Sequence, residues 1–140
     1  MVKCNSTRPH ATSGRLARLL LLMALLLWTL ALTFLSLSPH VNAPAGMQFS
    51  DKFNHFVAYA VLTLLLIWTL SVWRSHSGRL LTVAWLTCTA FGALLEGLQW
   101  AMGVGRQWEF GDLLANTLGA LAACVLFRHI ARRNLFTNDR

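Results

Sequence analysis

Charge is scarce in this sequence. Only 12% of its 140 residues are charged, and five of those are acidic. A soluble domain of similar length carries about 25%, so the scarcity argues against a water-soluble fold. Three cysteines are present, Cys4, Cys88 and Cys124, with no CxxC and no Cys/His cluster. Neither a disulfide framework nor a structural zinc site is therefore indicated. Cys88 and Cys124 lie in apolar runs and read as small core fillers. There is no HExxH and no GxSxG, hence no motif for a named hydrolytic reaction. Internal repeats are missing too.

Apolar residues are abundant instead, at 56% of the chain. They fall into four segments: about Leu16 to Ser36, Asn54 to Trp73, Leu80 to Ala101, and Gly111 to Phe127. Most approach the roughly 20 residues that a helix needs to cross the hydrocarbon core. The expected fold is all-α: a small polytopic bundle of four transmembrane helices. The domain reading is a basic tail over residues 1–15, a membrane domain over 16–128 and a second basic tail over 129–140. The first segment could also be a cleaved signal peptide ending near Ala43–Pro44–Ala45. Its apolar core and its spacer are both long for that, so we read it as a retained helix.

The net charge of +7 is distributed unevenly. Lys3, Arg8, Arg15 and Arg18 precede the first segment. Arg74 and Arg79 lie between the second and third. Arg128, Arg132, Arg133 and Arg140 follow the fourth. The other two connections hold only Lys52 and Arg106. The positive-inside rule then places both termini in the cytoplasm. This basic charge is a topology signal with an attraction to anionic lipid, and nucleic acid is not an expected partner. Trp73 and Trp85 are expected near the inner interface, and Trp100 and Trp108 near the outer one. Trp28 and Trp68 should lie deeper.

Topology brings the few acids together. Asp51, Glu96, Glu109 and Asp112 all fall in the outer third or just above it; only Asp139 does not. Asp51, His55 and Tyr59 recur every four residues and share a helix face, with Lys52 on its flank. Ser50 is placed to cap that helix, with Asp51 in its first turn. Glu96 and Gln99 share a face with Thr89, Gly92 and Ala93, opposite Phe91, Leu94 and Leu98. Asp112, Asn116, Gly119 and Ala123 form a stripe opposite Leu114, Leu118 and Leu121. Small residues on such stripes let helices approach closely. The first segment, with only Thr29, Thr33 and Ser36 as polar marks, should brace the others. Glu96 lies ~7 Å inside the outer end. An ionised group at mid-membrane costs ~2.5–3.5 kcal/mol, less near the interface, so Glu96 needs a partner or a function. His10, His76 and His129 fall on the cytoplasmic side and His40 in the first outer connection, where each reads as solvated.

Three stretches, "DKFNHFVAY" (51–59), "EGLQ" (96–99) and "GRQWEFGDLLANTLGA" (105–120), together resemble the VanZ-like family of membrane proteins. Asp51, Lys52, His55, Tyr59, Glu96, Gln99, Arg106, Asp112, Asn116 and Gly119 fill its pattern. The resemblance covers residues 50–123. One departure is "ALAA" (120–123), where members often carry a second glycine. The resemblance implies a several-helix protein of the bacterial inner membrane. The family's named member is associated with resistance to the glycopeptide teicoplanin, and the resemblance assigns no reaction.

Three functions remain open at this point. In the first, Asp51, Lys52, His55, Tyr59, Glu96, Gln99, Arg106, Asp112 and Asn116 bind an anionic head group. The ligand would be a lipid-linked envelope precursor or an acylated glycopeptide, and Lys52 and Arg106 would meet its charge. In the second, the protein is an intramembrane hydrolase or transferase. Asp51, His55, Glu96 and Asp112 would hold a divalent metal ion, or His55, Glu96 and Asp112 would carry acid–base chemistry. In the third, the polar cluster is structural, in a scaffold or transporter subunit that forms oligomers.

Overall fold

The computed structural model describes residues 10–38, 48–73, 78–102 and 109–137, with side chains over 14–38, 51–73, 79–102 and 109–133. Four helices account for nearly all of them: α1 (His10–Leu37), α2 (Gln48–Trp73), α3 (Gly78–Met102) and α4 (Phe110–Thr137). No strand occurs among the described residues. Each helix contains an apolar span of 23 or 24 residues, or ~35 Å at 1.5 Å per residue, enough to cross a bilayer. The fold is that of a multi-pass membrane protein.

Cross-helix hydrogen bonds fix the directions. Trp28 Nε1 donates to the Ala58 carbonyl, and Gln99 Nε2 donates to the Ser36 carbonyl at 2.6 Å. Trp85 Nε1 donates to the Thr117 carbonyl, and Cys124 Sγ to that of Leu81. The second pair makes α3 and α4 antiparallel. His55 meets Asn116 and Lys52 meets Glu109, so α2 and α4 run the same way. The bundle is therefore up-down-up-down. The C-terminal ends of α1 and α3 and the N-terminal ends of α2 and α4 share one end. Lys52 is the only lysine or arginine described there. Arg15, Arg18, Arg79, Arg128, Arg132 and Arg133 lie towards the other end, where the Arg18 guanidinium sits 5.7 Å from the Trp73 ring centroid.

Packing follows the small-residue stripes. Asp112, Asn116, Gly119, Ala120, Ala123 and Cys124 are buried on α4, while Leu114, Leu118 and Leu121 are exposed. Gly119 is indispensable to this contact: a Cβ there would overlap the Phe56 carbonyl oxygen of α2. The core has two parts. Leu32, Tyr59, Leu62, Cys88 and Ala120 make one, and Ile67, Leu80, Ala84 and Cys124 the other. Cys88 and Cys124 are thus free thiols used as filling. α1 presents Leu19, Leu26, Leu30 and Phe34 outward and braces the bundle through Trp28, Leu32 and the Gln99 bond. Threonine hydroxyls at 29, 33, 63, 69 and 117 bond carbonyls four residues back in their own helices, which satisfies them without a partner helix.

Several expectations change. α2 begins at Gln48, so Ser50 lies inside the helix rather than capping it. α1 begins at His10 and α4 continues ten residues past Phe127, so helix extends into both basic tails. Phe91 turns inward, its ring 6.5 Å from that of Tyr59, because Gly92 beside it brings α3 close. Trp85 also turns inward, to a carbonyl of α4. Trp28 packs inside, Trp68 faces outward, and Trp73 and Trp100 are exposed at opposite ends. Cys4, Lys3, Arg8, His40, Arg74, His76, Arg106, Trp108, Asp139 and Arg140 lie outside the described residues.

Candidate functional site

The site is built where the first turns of α2 and α4 lie side by side. Asp51 is in the first turn of α2 and Asp112 in the first turn of α4. Both helix N-termini carry partial positive charge towards these carboxylates. The start of α4 is locked by a 3.0 Å bond from the Asp112 N–H to the Glu109 carbonyl.

Lys52 crosses from α2 to α4. Its Nζ donates to Glu109 Oε2 at 2.7 Å and stands 3.6 Å from Asp112 Oδ1. The lysine stem passes over Gly111, where a Cβ would come within 2.6 Å of Lys52 Cε. Glycine at 111 therefore leaves the path the lysine needs.

His55 is the centre of the cluster, with its side chain only 12% exposed. One ring nitrogen, Nδ1, lies 3.1 Å from Asn116 Oδ1. The other, Nε2, faces two carboxylates, Asp51 Oδ1 at 4.0 Å and Asp112 Oδ2 at 4.0 Å. Asp112 and Asn116 are buried, yet Asp112 Oδ1 and Asn116 Nδ2 have no hydrogen-bond partner. Thr89 Oγ1 on α3 is buried and unpartnered as well. A closed structural cluster normally satisfies its own atoms, since each orphaned group costs ~1–3 kcal/mol.

A second layer lies one turn deeper. Tyr59 is 2% exposed and packs against Phe91. Gly92 of α3 meets both it and Asn116: a Cβ at 92 would lie 3.0 Å from Asn116 Nδ2 and 3.1 Å from Tyr59 Cε1. Glu96, one turn further along α3, is buried within electrostatic range of Tyr59.

The sequence-derived site residues thus divide into groups. Asp51, Lys52, His55, Asp112 and Asn116 come together directly. Tyr59 and Glu96 lie beside them on the α3 side. Gln99 is bonded to α1 and acts as a brace. Arg106 lies outside the described residues. Glu109 falls among the gathered acids but not among the sequence-derived site residues, although it is the closest partner of Lys52. Its position three residues before Asp112, at a helix start, was the available signal.

Among the described residues, the side chains able to hold a metal are Asp51, His55 and Asp112, whose ligand atoms all lie within 4.8 Å of one another. Glu96 stands outside this trio. An apolar groove of about 630 Å³ lies elsewhere, along the outer face of α4. Phe56, Leu118, Leu121, Val125, Leu126 and His129 line it.

The sequence model of the VanZ/LLP1 family matches residues 5–132. The chain belongs to the VanZ/LLP1 family. The match takes in α1 as well as the three helices that carry the polar residues, so it extends beyond the 50–123 stretch recognisable by motif. Neither the curated proteins nor the solved structures compared with this VanZ/LLP1 protein contain a match.

Proposed function

We propose that this VanZ/LLP1 protein binds the polar head of a membrane amphiphile at the α2–α4 site. It would act in the bacterial inner membrane as a binding or modulating protein. The observation that carries this reading is the pair of orphaned, buried atoms, Asp112 Oδ1 and Asn116 Nδ2. One is an acceptor and one a donor, set beside a histidine and a lysine at the end of the bundle. A head group with both hydroxyl and phosphate functions would satisfy them. Lys52 would transfer from Glu109 to the incoming anion, and Arg106 would add charge from the adjoining connection. The apolar groove along α4, with Phe56, Leu118, Leu121 and Val125 in its lining, suits an acyl or prenyl tail. Lipid-linked envelope precursors have this form, and so does an acylated glycopeptide such as teicoplanin. Among the described residues every arginine lies towards the opposite end, which supports an outward-facing site.

The test is ligand-induced stabilisation in a mild detergent. A ligand at 100 times its Kd stabilises by about 2.7 kcal/mol. Short-chain amphiphiles with phosphate, choline and uncharged heads are compared on the wild type and on Lys52→Ala. The reading predicts that the phosphate head raises the unfolding temperature of the wild type and not of the variant. Equal effects of all heads on both proteins would contradict it.

A further inference from the structure

We infer that Asp51, His55 and Asp112 form a divalent cation site, with Asn116 as the residue that orients its histidine. The inference starts from the ring of His55. Asn116 Oδ1 lies 3.1 Å from Nδ1; an amide oxygen only accepts, so with the amide in this orientation the proton sits on Nδ1. The Nε2 lone pair of the neutral ring then faces Asp51 and Asp112, each at 4.0 Å. A lone pair between two carboxylates is repelled unless a cation lies among them. Lys52 Nζ meets the other oxygen of Asp112, Oδ1 at 3.6 Å, so the cation beside Nε2 itself is either a proton on that nitrogen or a metal ion.

Distance separates the two. An imidazolium N–H donating to a carboxylate closes to ~2.7–2.9 Å, and here neither carboxylate has closed. Two ligands held by one ion at ~2.1 Å each can stand up to ~4.2 Å apart. An ion seated among three atoms so spaced lies roughly 2.2–2.5 Å from each, so the ligands close by a few tenths of an ångström to bind it, whereas the hydrogen bond is left unmade. The second observation is Asp112 itself. Its side chain is 6% exposed, and Oδ1 accepts no hydrogen bond although Lys52 Nζ stands 3.6 Å away. A buried carboxylate held only by ion pairs of 3.6 and 4.0 Å, one on each oxygen, is placed to ligate a closer cation. Asn116 supplies the outer bond that metal-binding histidines characteristically make through their other nitrogen.

One imidazole and two carboxylates favour Zn²⁺ or Mn²⁺ over Mg²⁺, which prefers an all-oxygen octahedron. Three protein ligands leave positions open for water or a phosphate oxygen. An ion there would let an acidic site accept an anionic head. That last step rests on the head-group reading; the ion does not. Lys52 is then a competing charge, and its bond to Glu109 is where it sits when the ion is bound. The two readings give Lys52→Ala opposite signs: it weakens direct capture of an anion and leaves metal affinity equal or tighter.

The experiment uses the full chain in detergent, stripped with chelator and free of added lipid. Mn²⁺ binding is followed by loss of the free-ion resonance signal, and Zn²⁺ by elemental analysis after desalting. The inference predicts one ion per chain. His55→Ala and Asp112→Asn should each lower affinity at least tenfold, and Asn116→Leu by about 10–100-fold. Asp51→Asn, at the more exposed edge, reads the same site should the buried variants fail to fold. Glu109→Gln should keep the ion. Absence of stoichiometric binding of either ion would overturn the inference, as would binding indifferent to Asp51→Asn, His55→Ala and Asp112→Asn.

Discussion

His55 on α2 and Asn116 on α4 meet at 3.1 Å, one turn inside the end of the bundle where the acidic residues gather. The contact does two things. It ties the two helices together, and it fixes which nitrogen of His55 faces Asp51 and Asp112. The predictions below follow from this junction and the packing that allows it.

Asn116→Leu should remove the oxygen that His55 uses and leave a buried N–H without a partner. The cost is about 1–3 kcal/mol. Denaturant unfolding followed by helix content would measure it. Equal stability of wild type and variant would show that the junction holds nothing.

Gly119→Ala should push α4 away from the Phe56 carbonyl, costing about 1–3 kcal/mol or more. The site above it would be disturbed as well. Gly97→Ala is the control, because a Cβ there meets nothing within 4 Å. The same unfolding experiment compares them, and the account requires a large effect at 119 beside a small one at 97.

Lys52→Ala should barely change stability. Its bond to Glu109 is short, but the two side chains are 37% and 49% exposed, and such pairs contribute about 0–1 kcal/mol. A loss well above that range would make Lys52 part of the architecture.

Gln99→Ala should free α1. The bond from Gln99 to the Ser36 carbonyl ties the end of α1 to α3, and no other polar contact to that turn is described. Cross-linking yield between cysteines introduced at Leu35 and Trp100 should fall in the variant. An unchanged yield would assign the bracing to Trp28 and Leu32 instead.

Orientation gives a further prediction. In intact cells an impermeant thiol reagent should label a cysteine placed at Glu109 and spare one at Arg132, with Cys4, Cys88 and Cys124 replaced. The reverse pattern would turn the site towards the cytoplasm.

Much of this was legible in the sequence because a bilayer constrains it strongly. Apolar runs located four helices, and arginine placement put the acidic residues at one end. The α4 stripe of Asp112, Asn116 and Gly119 was readable because helical spacing fixes a face. Spacing does not fix a partner. That His55 faces Asn116 and Asp112, while Glu96 lies beside Tyr59, depends on the depth at which α2, α3 and α4 slide past one another. That depth is set by close contacts at glycine, such as Gly119 on the Phe56 backbone and Gly92 on the Tyr59 ring. The extension of α4 past Phe127 was hidden for a different reason: its last turns are basic and polar, and no apolar pattern marks them. Ser50 carried a plausible capping signal that helix propensity from Gln48 onward overrode.

The central claim is that this junction is a binding site and not only a clasp between helices. Native mass spectrometry of wild type and Asp112→Asn, released from the same mild detergent, tests it most directly. The account predicts a bound species of defined mass on the wild type, lost from a variant that unfolds at a similar temperature. Bare protein in both samples, with the variant markedly less stable, would contradict it and leave the cluster as architecture.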